Sequence, residues 1–205
     1  MLAAMNEHKN TPAPTPESFR SPLLLDRQQS GLLVVDVQEK LLSMIDRHSI
    51  VQWNIERLLA AAKLLQVPIA ASEQYPAGLG PTVAAIRSQI ETVAEKRMFS
   101  CRECQSLIAD WTPRGIRQIL IAGIEAHVCI MQTALDLQSA GFDVFVAADA
   151  TGSRTPFDYA MALNRLSQAG VTVMTTESAL FEWCETSAAT EFKQISQLVQ
   201  RTAPE

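Results

Sequence analysis

Three side chains able to do chemistry stand where short apolar runs end. Residues 32–35 are a continuous aliphatic run, and Asp36 follows at once, with Gln38 two residues on. A carboxylate carried out of a buried strand is costly unless it is paired or working, so Asp36 is a candidate base. Its plainer role is an N-cap for the segment that follows. The segment that starts near Thr92 ends in Glu95-Lys96-Arg97, where Lys96 either steadies an anion or is an ordinary surface lysine. The run 118–122 opens into Gly123-Ile124-Glu125-Ala126-His127-Val128-Cys129. Cys129 there begins a helical stretch, where free amides and the positive end of the helix dipole favour a thiolate. With a carboxylate to take its proton and a lysine to hold the anions, such a thiol is a nucleophile. The alternative is a small hydrophobe in a packed turn, because free cysteines are among the most buried residue types.

The elements that must position these residues alternate along the chain. Apolar runs at 32–35, 67–71, 118–122, 144–147 and 171–175 read as strands, and 92–97 as a short strand or extended segment. Helical periodicity marks 41–65, where Trp53, Leu58, Leu59, Ala62 and Leu65 share a face, and also 128–140, 156–169 and 188–200. Residues 78–90 read as a loop feeding a helix, and 100–111 as a helix that stops before Pro113. Strands apolar on both faces that alternate with helices imply an α/β fold. Its form is a three-layer α/β/α arrangement around a mostly parallel, doubly wound central sheet. Ligands of such sheets bind at the carboxyl ends of the strands, which brings Asp36, Lys96 and Cys129 to one rim. Gln38, Glu73, Gln74, Tyr75, Phe99 and His127 are then candidate pocket residues. Asp149 and Arg154, beyond the fifth strand, are expected to pair with each other, and Phe181 and Trp183 to pack in a late loop.

Composition bounds the function classes. The chain has 205 residues, 47% of them hydrophobic and 19% charged, which excludes intrinsic disorder and suits one compact domain. Seventeen basic against 22 acidic residues give a net charge of −5, which argues against a nucleic-acid surface. No uninterrupted apolar stretch is long enough for a membrane span, and the opening residues do not read as a secretory signal. Four cysteines are too few for a disulfide scaffold and read as free thiols in a reducing compartment, the cytoplasm. Pro12, Pro14, Pro16 and Pro22 crowd the start, so residues 1–20 read as a flexible extension and 21–205 as the single domain. Cys101-Arg102-Glu103-Cys104 is a lone C-x-x-C, for which helix packing is preferred over redox or zinc chemistry. No G-x-G-x-x-G follows the first strand, which disfavours a dinucleotide site.

Several segments in order, LLVVDVQEKLL, SEQYPAGLGPTV, EKRMFSC and AGIEAHVCIMQTALDLQSAGFDVFVAADATGSR, resemble the isochorismatase-like cysteine hydrolase family, in particular its isochorismatase-domain-containing branch. The resemblance continues through TTESALFEW to EFKQIS and spans residues 24–200. It implies an Asp-Lys-Cys triad on Asp36, Lys96 and Cys129, and a backbone oxyanion hole from Cys129 with Glu125 or Ala126. It also implies a non-proline cis peptide at Ile124-Glu125 and a homo-oligomer. The nicotinamidase branch carries an Asp-x-His metal site, but this chain has Asp36-Val37-Gln38 and no histidine between His48 and His127. No metal or other cofactor is therefore expected. Isochorismatase proper lacks the cysteine that this chain has. The implied activity is metal-independent hydrolysis of a small amide or related acyl compound through a Cys thioester, with a small molecule as partner and neither nucleic acid nor membrane. The competing readings are a non-catalytic binding or scaffold protein of the same fold, and a thiol redox protein.

Overall fold

Strands that are apolar on both faces must be covered on both, and this chain does so with two helical layers. Residues 20–204 are described by the computed structural model. Strand β1 (Ser30–Val35) is buried at every position. It lies inside a six-stranded sheet with β2 (Ile69–Gln74), β3 (Thr92–Lys96), β4 (Gln118–Ile124), β5 (Asp143–Gly152) and β6 (Thr172–Met174). The spatial order is β3-β2-β1-β4-β5-β6, and every pairing is parallel. The order reverses between β1 and β4, where doubly wound sheets open a crevice. Register then fixes the neighbours of that crevice: Val35 lies opposite Gly123, and Gln74 opposite Lys96.

The connections form helices α1 (Glu39–Leu42), α2 (His48–Leu64), α3 (Pro76–Leu79), α4 (Ala84–Arg87), α5 (Gln105–Ala109), α6 (Met131–Ser139), α7 (Pro156–Gln168), α8 (Thr176–Cys184) and α9 (Phe192–Val199). One sheet face packs on α2, α8 and α9 through Ile55, Leu58, Leu180 and Ile195. The other packs on α5, α6 and α7 through Leu107, Ala134 and Leu166. This is the three-layer α/β/α arrangement expected from the alternating pattern. Among the described residues no helix is long and apolar enough to cross a membrane.

The helical segments differ from the periodicity in instructive ways. The stretch 41–65 is two helices, because the chain turns left-handed at Arg47 (φ 54°) before α2 begins. Residues 100–111 also split, into a 3-10 turn (Cys101–Glu103) and α5, since Cys104 leaves the helical region at ψ 48°. Residues 76–90 hold two single-turn helices, α3 and α4, where a loop feeding one helix was expected over 78–90, and the final helix starts only at Phe192. Helix α8 replaces the expected late loop: the Thr175 hydroxyl caps the Ser178 amide, and Trp183 is 1% exposed in the core. Residues 1–19 of the expected extension lie outside the described residues; the Arg20 guanidinium donates to the carbonyls of Leu25 and Glu182 at 2.8 and 2.7 Å.

One glycine joins the two strands that carry the crevice. Gly123 sits at φ +127°, and a Cβ there would lie 2.1 Å from the Val35 carbonyl oxygen. Backbone cannot yield as a flexible side chain would, so β1 and β4 approach this closely only because residue 123 has no side chain. Gly123→Ala is expected to cost at least about 3 kcal/mol. Denaturant unfolding checks this, and a loss below about 1 kcal/mol would show that the strands can separate without penalty.

Candidate active site

Asp36 leaves β1 in the left-handed region, at φ 54°, an uncommon conformation for a residue with a side chain. Its carboxylate is fully buried and divided between two partners. Oδ1 accepts the Ser72 hydroxyl at 2.8 Å, and Oδ2 accepts Lys96 Nζ at 2.6 Å. Both ion-pair side chains have no exposure at all. Lys96 ends β3 and satisfies its ammonium on three further atoms: Gln74 Oε1 at 2.7 Å, the Met98 carbonyl at 3.3 Å and Cys129 Sγ at 3.5 Å. Burial works to lower the Lys96 pKa, but the charge of Asp36 and its hydrogen bond outweigh it, so the ammonium stays charged. Asp36, Lys96 and Cys129, expected at one rim from their places after the strands, are brought together by the fold.

Cys129 lies in a turn of π-helix, Ala126–Ile130, that runs into α6. The Glu125 carbonyl accepts the amides of Val128 and Ile130 at 3.1 and 3.2 Å, which widens the turn. The peptide bond between Ile124 and Glu125 is cis, as the family resemblance implied. Cys129 is 7% exposed. The helix start led us to expect a lowered thiol pKa, and the outcome is the reverse. Burial pushes the thiol up and the Asp36 charge adds to it, against the opposing pull of Lys96. The thiol at this position therefore favours its neutral form.

The residues expected to line a pocket divide into two groups. Gln38 is fully buried and spent on shape: Nε2 donates to the carbonyls of Gln74 and Gly80, and Oε1 accepts the Gln74 amide. Glu73 accepts the amide and hydroxyl of Thr82, both at 2.7 Å, while Gln74 supports Lys96. These three build the wall rather than face an opening. Tyr75, Met98 and Phe99 are exposed around the Lys96 side, and the Arg97 guanidinium stacks 3.9 Å from the Tyr75 ring centre. His127 Nδ1 meets Ser153 Oγ at 3.0 Å on the other side of the turn. Arg154 does not pair with Asp149. Its Nε donates to Glu125 at 2.8 Å, and Asp149 instead caps the start of α8.

Sequence reasoning missed Ser72, Ser153 and Glu103. Ser72 is a fully buried polar residue inside β2, and that misfit within IAASEQ was the available signal. Glu103 accepts the amides of Arg97 and Met98 at 2.8 and 2.6 Å and so fixes the loop after β3. Its place inside the C-x-x-C drew attention to the cysteines instead. Cys101 and Cys104 are free and buried, and the Cys101 thiol donates to Ser72 Oγ at 3.3 Å, one step behind Asp36. Among the described residues no cluster of three or more His, Cys, Asp or Glu side chains is arranged to hold a metal ion.

A doubly wound sheet with a buried carboxylate, ammonium and thiol at its switch point defines the class of protein. The sequence model of the isochorismatase domain matches residues 30–178. The chain belongs to the isochorismatase family and has its hydrolase fold. It is 40% identical over 153 residues to isochorismatase domain-containing protein 1 of Danio rerio, covering 73% of this chain and 53% of that one. The chain thus spans about half the length of that relative. Among solved structures, the MAR1 ribonuclease of Caenorhabditis elegans superposes with a TM-score of 0.82 at 33% identity, over 89% of this chain and 95% of that one. The YcaC gene product of Escherichia coli, an octameric hydrolase of unknown specificity, superposes with a TM-score of 0.80 at 26% identity, over 88% and 91% of the two chains.

The raised thiol has a consequence for stability. A group kept neutral in the folded chain but free to ionise when unfolded stabilises the fold fully below its ordinary pKa of 9.0, and that stability is lost as pH rises beyond it. Unfolding free energy should therefore fall above about pH 9 less steeply in Cys129→Ala than in the parent chain. Equal slopes in urea titrations across that range would show that Cys129 ionises as easily folded as unfolded.

Proposed function

We propose that this chain is a metal-independent cysteine hydrolase for a small amide or related acyl compound, with Asp36, Lys96 and Cys129 as its triad. The observation that carries the reading is Lys96 Nζ placed 2.6 Å from Asp36 Oδ2 and 3.5 Å from Cys129 Sγ with both partners buried. With the thiol pushed up, an unassisted thiolate is scarce at neutral pH, so attack needs a base in contact. Asp36 takes the thiol proton as sulfur bonds to the substrate carbonyl carbon. Lys96 balances the negative charge as it passes between carboxylate and sulfur. Backbone amides of Cys129 and of Glu125 or Ala126 receive the oxyanion, a service worth about 2.7–4 kcal/mol per donor in comparable sites. The C–N bond then breaks, the leaving amine takes the proton held by Asp36, and a thioester remains. Water attacks that carbonyl as Asp36 takes its proton, the C–S bond breaks, and the sulfur recovers the proton. A nucleophile only 7% exposed favours a small substrate, for which Tyr75, Phe99 and His127 are the proposed contacts.

The ribonuclease for which the nematode neighbour is named is a poorer guide, because a net charge of −5 gives little attraction for a phosphate backbone. The redox reading is weakened by the burial of Cys101 and Cys104 and by the bond that ties Cys101 to Ser72. A binding protein of the same fold is the remaining alternative, and thiol labelling separates it. Acrylamide or iodoacetamide should modify Cys129 in the parent chain, and Asp36→Asn should slow that labelling. In a screen of small amides, Cys129→Ala and Asp36→Asn should each lower kcat/KM by roughly 10⁴-fold while circular dichroism is unchanged. Full activity in Cys129→Ala would refute the mechanism. Absence of both turnover and labelling would favour a binding protein.

Assembly into a homo-oligomer is part of the proposal, supported by the octameric neighbour at 26% identity. On α7, Phe157 and Met161 stand one turn apart and are 74% and 51% exposed, an apolar stripe suited to contact between copies. Light scattering should find a multimer, and the double variant Phe157→Glu/Met161→Glu should reduce its mass. A monomeric parent chain would refute this part.

A further inference from the structure

Strand β2 grips Asp36 at two points, both through Ser72. The Asp36 amide donates to the Ser72 carbonyl at 3.0 Å, and the Ser72 hydroxyl donates back to Asp36 Oδ1 at 2.8 Å. Parallel register makes this possible, because Val35 lies opposite Ser72 and Asp36 is the next residue. One residue therefore fixes both the backbone and the carboxylate of an aspartate held in the left-handed region. Ser72 follows Ala70 and Ala71 and is fully buried, where an unpaired hydroxyl is unfavourable. Alanine would fill the same place in the strand, so packing alone does not call for the oxygen.

Behind Ser72 stands the C-x-x-C turn, which the proposed hydrolysis leaves unused. The Cys101 thiol donates to Ser72 Oγ at 3.3 Å. A hydroxyl has one hydrogen, and with a donor behind it that hydrogen is directed at the carboxylate. Cys101 is fixed in turn from α6: its amide donates to Thr133 Oγ1 at 3.0 Å, and both residues are fully buried. Thr133 lies one turn beyond Cys129, on the helix into which the catalytic turn runs. The bonds from Cys101 to Ser72 to Asp36 thus tie the base to the helix that follows the nucleophile.

We infer that Ser72 is the positioning residue of the base: it keeps the Asp36 carboxylate ionised and in place to take the thiol proton, with Cys101 directing its hydroxyl. The inference rests on the reading of Asp36 as the base for Cys129. A donated bond favours the charged form of a carboxylate, and removing it takes a donor from a buried oxygen. Lys96 cannot stand in, because its ammonium bonds the other oxygen, Oδ2. Ser72 touches no substrate in this scheme, so its loss acts on proton transfer and not on binding. The other titratable groups facing Asp36 are Lys96 on β3, Cys101 and Cys104 at the 3-10 turn, and Cys129. None of these is a carboxylate, so a loss of reactivity on the acid side belongs to Asp36.

The rate of iodoacetamide labelling at Cys129, followed by mass spectrometry of the full chain from about pH 4 to pH 8, reads this proton transfer without a substrate. Ser72→Ala is expected to move the acid limb of that profile up by about one pH unit. Ser72→Thr, which keeps the hydroxyl, should return the limb to the parent position. Cys101→Ala should move it the same way by less, whereas Cys101→Ser, which keeps a donor and removes the thiol, should leave it in place. Circular dichroism checks that each variant is folded. An unmoved limb in Ser72→Ala overturns the proposal, as does a limb in Ser72→Thr displaced as far as in Ser72→Ala. If Ser72→Ala does not fold, the Cys101 pair decides, and equal limbs in its two members overturn the proposal. Asp36→Asn separates this inference from the reading beneath it. Labelling as fast as the parent's in Asp36→Asn would remove Asp36 as the base and both readings with it. Slowed labelling there, with an unmoved limb in Ser72→Ala, would remove the role of Ser72 alone.

Discussion

A lysine and an aspartate with no exposed side-chain surface, 2.6 Å apart, set the terms for everything around them. Taking two charges out of water is repaid only when both are fully bonded, and a lone survivor in such a pair would be costly. The molecule meets that demand with one donor and acceptor after another. Ser72 completes Asp36, Gln74 and the Met98 carbonyl complete Lys96, and Glu103 holds the loop that carries Met98. Cys129 joins the group through its sulfur, 3.5 Å from the ammonium.

The sheet delivers these groups without adjustment. Parallel strands in register put Asp36, Lys96 and the turn of Cys129 at one end, and the close contact of Gly123 with Val35 draws the β1 and β4 ends together. Gln38, just after β1, and Glu73, near the end of β2, then hold the segment 80–82 in place. Both side chains are committed to the protein itself. The walls of the site are thus as fully bonded as its centre, and a buried polar network satisfied at every member is rigid.

Much of this was legible before any coordinates. Uninterrupted apolar runs such as 32–35 and 118–122 announced buried parallel strands, and the rule of strand ends then picked Asp36, Lys96 and Cys129. What stayed hidden depended on contacts remote in sequence. The capped start of α8 relies on Asp149, 27 residues away, so Trp183 read as loop. The partner of Arg154 is Glu125 across the β4 and β5 ends, not the nearer Asp149. The thiol was expected to be lowered by its helix start, but desolvation and a carboxylate, neither visible in local sequence, outweigh that effect. Left-handed residues at Asp36, Arg47 and Tyr75 follow no glycine signal and had no reading in the sequence.

The three catalytic candidates are not equally anchored. Asp36 and Cys129 follow the two central strands, whereas Lys96 ends β3, the edge of the sheet, whose other residues are exposed or half-buried. Edge elements with little buried surface open locally at far lower free energy than a core. The positive charge of the site therefore rides on an edge strand. Parting β3 from β2 would take the cation away from Asp36 while the pairings of the central strands stay intact.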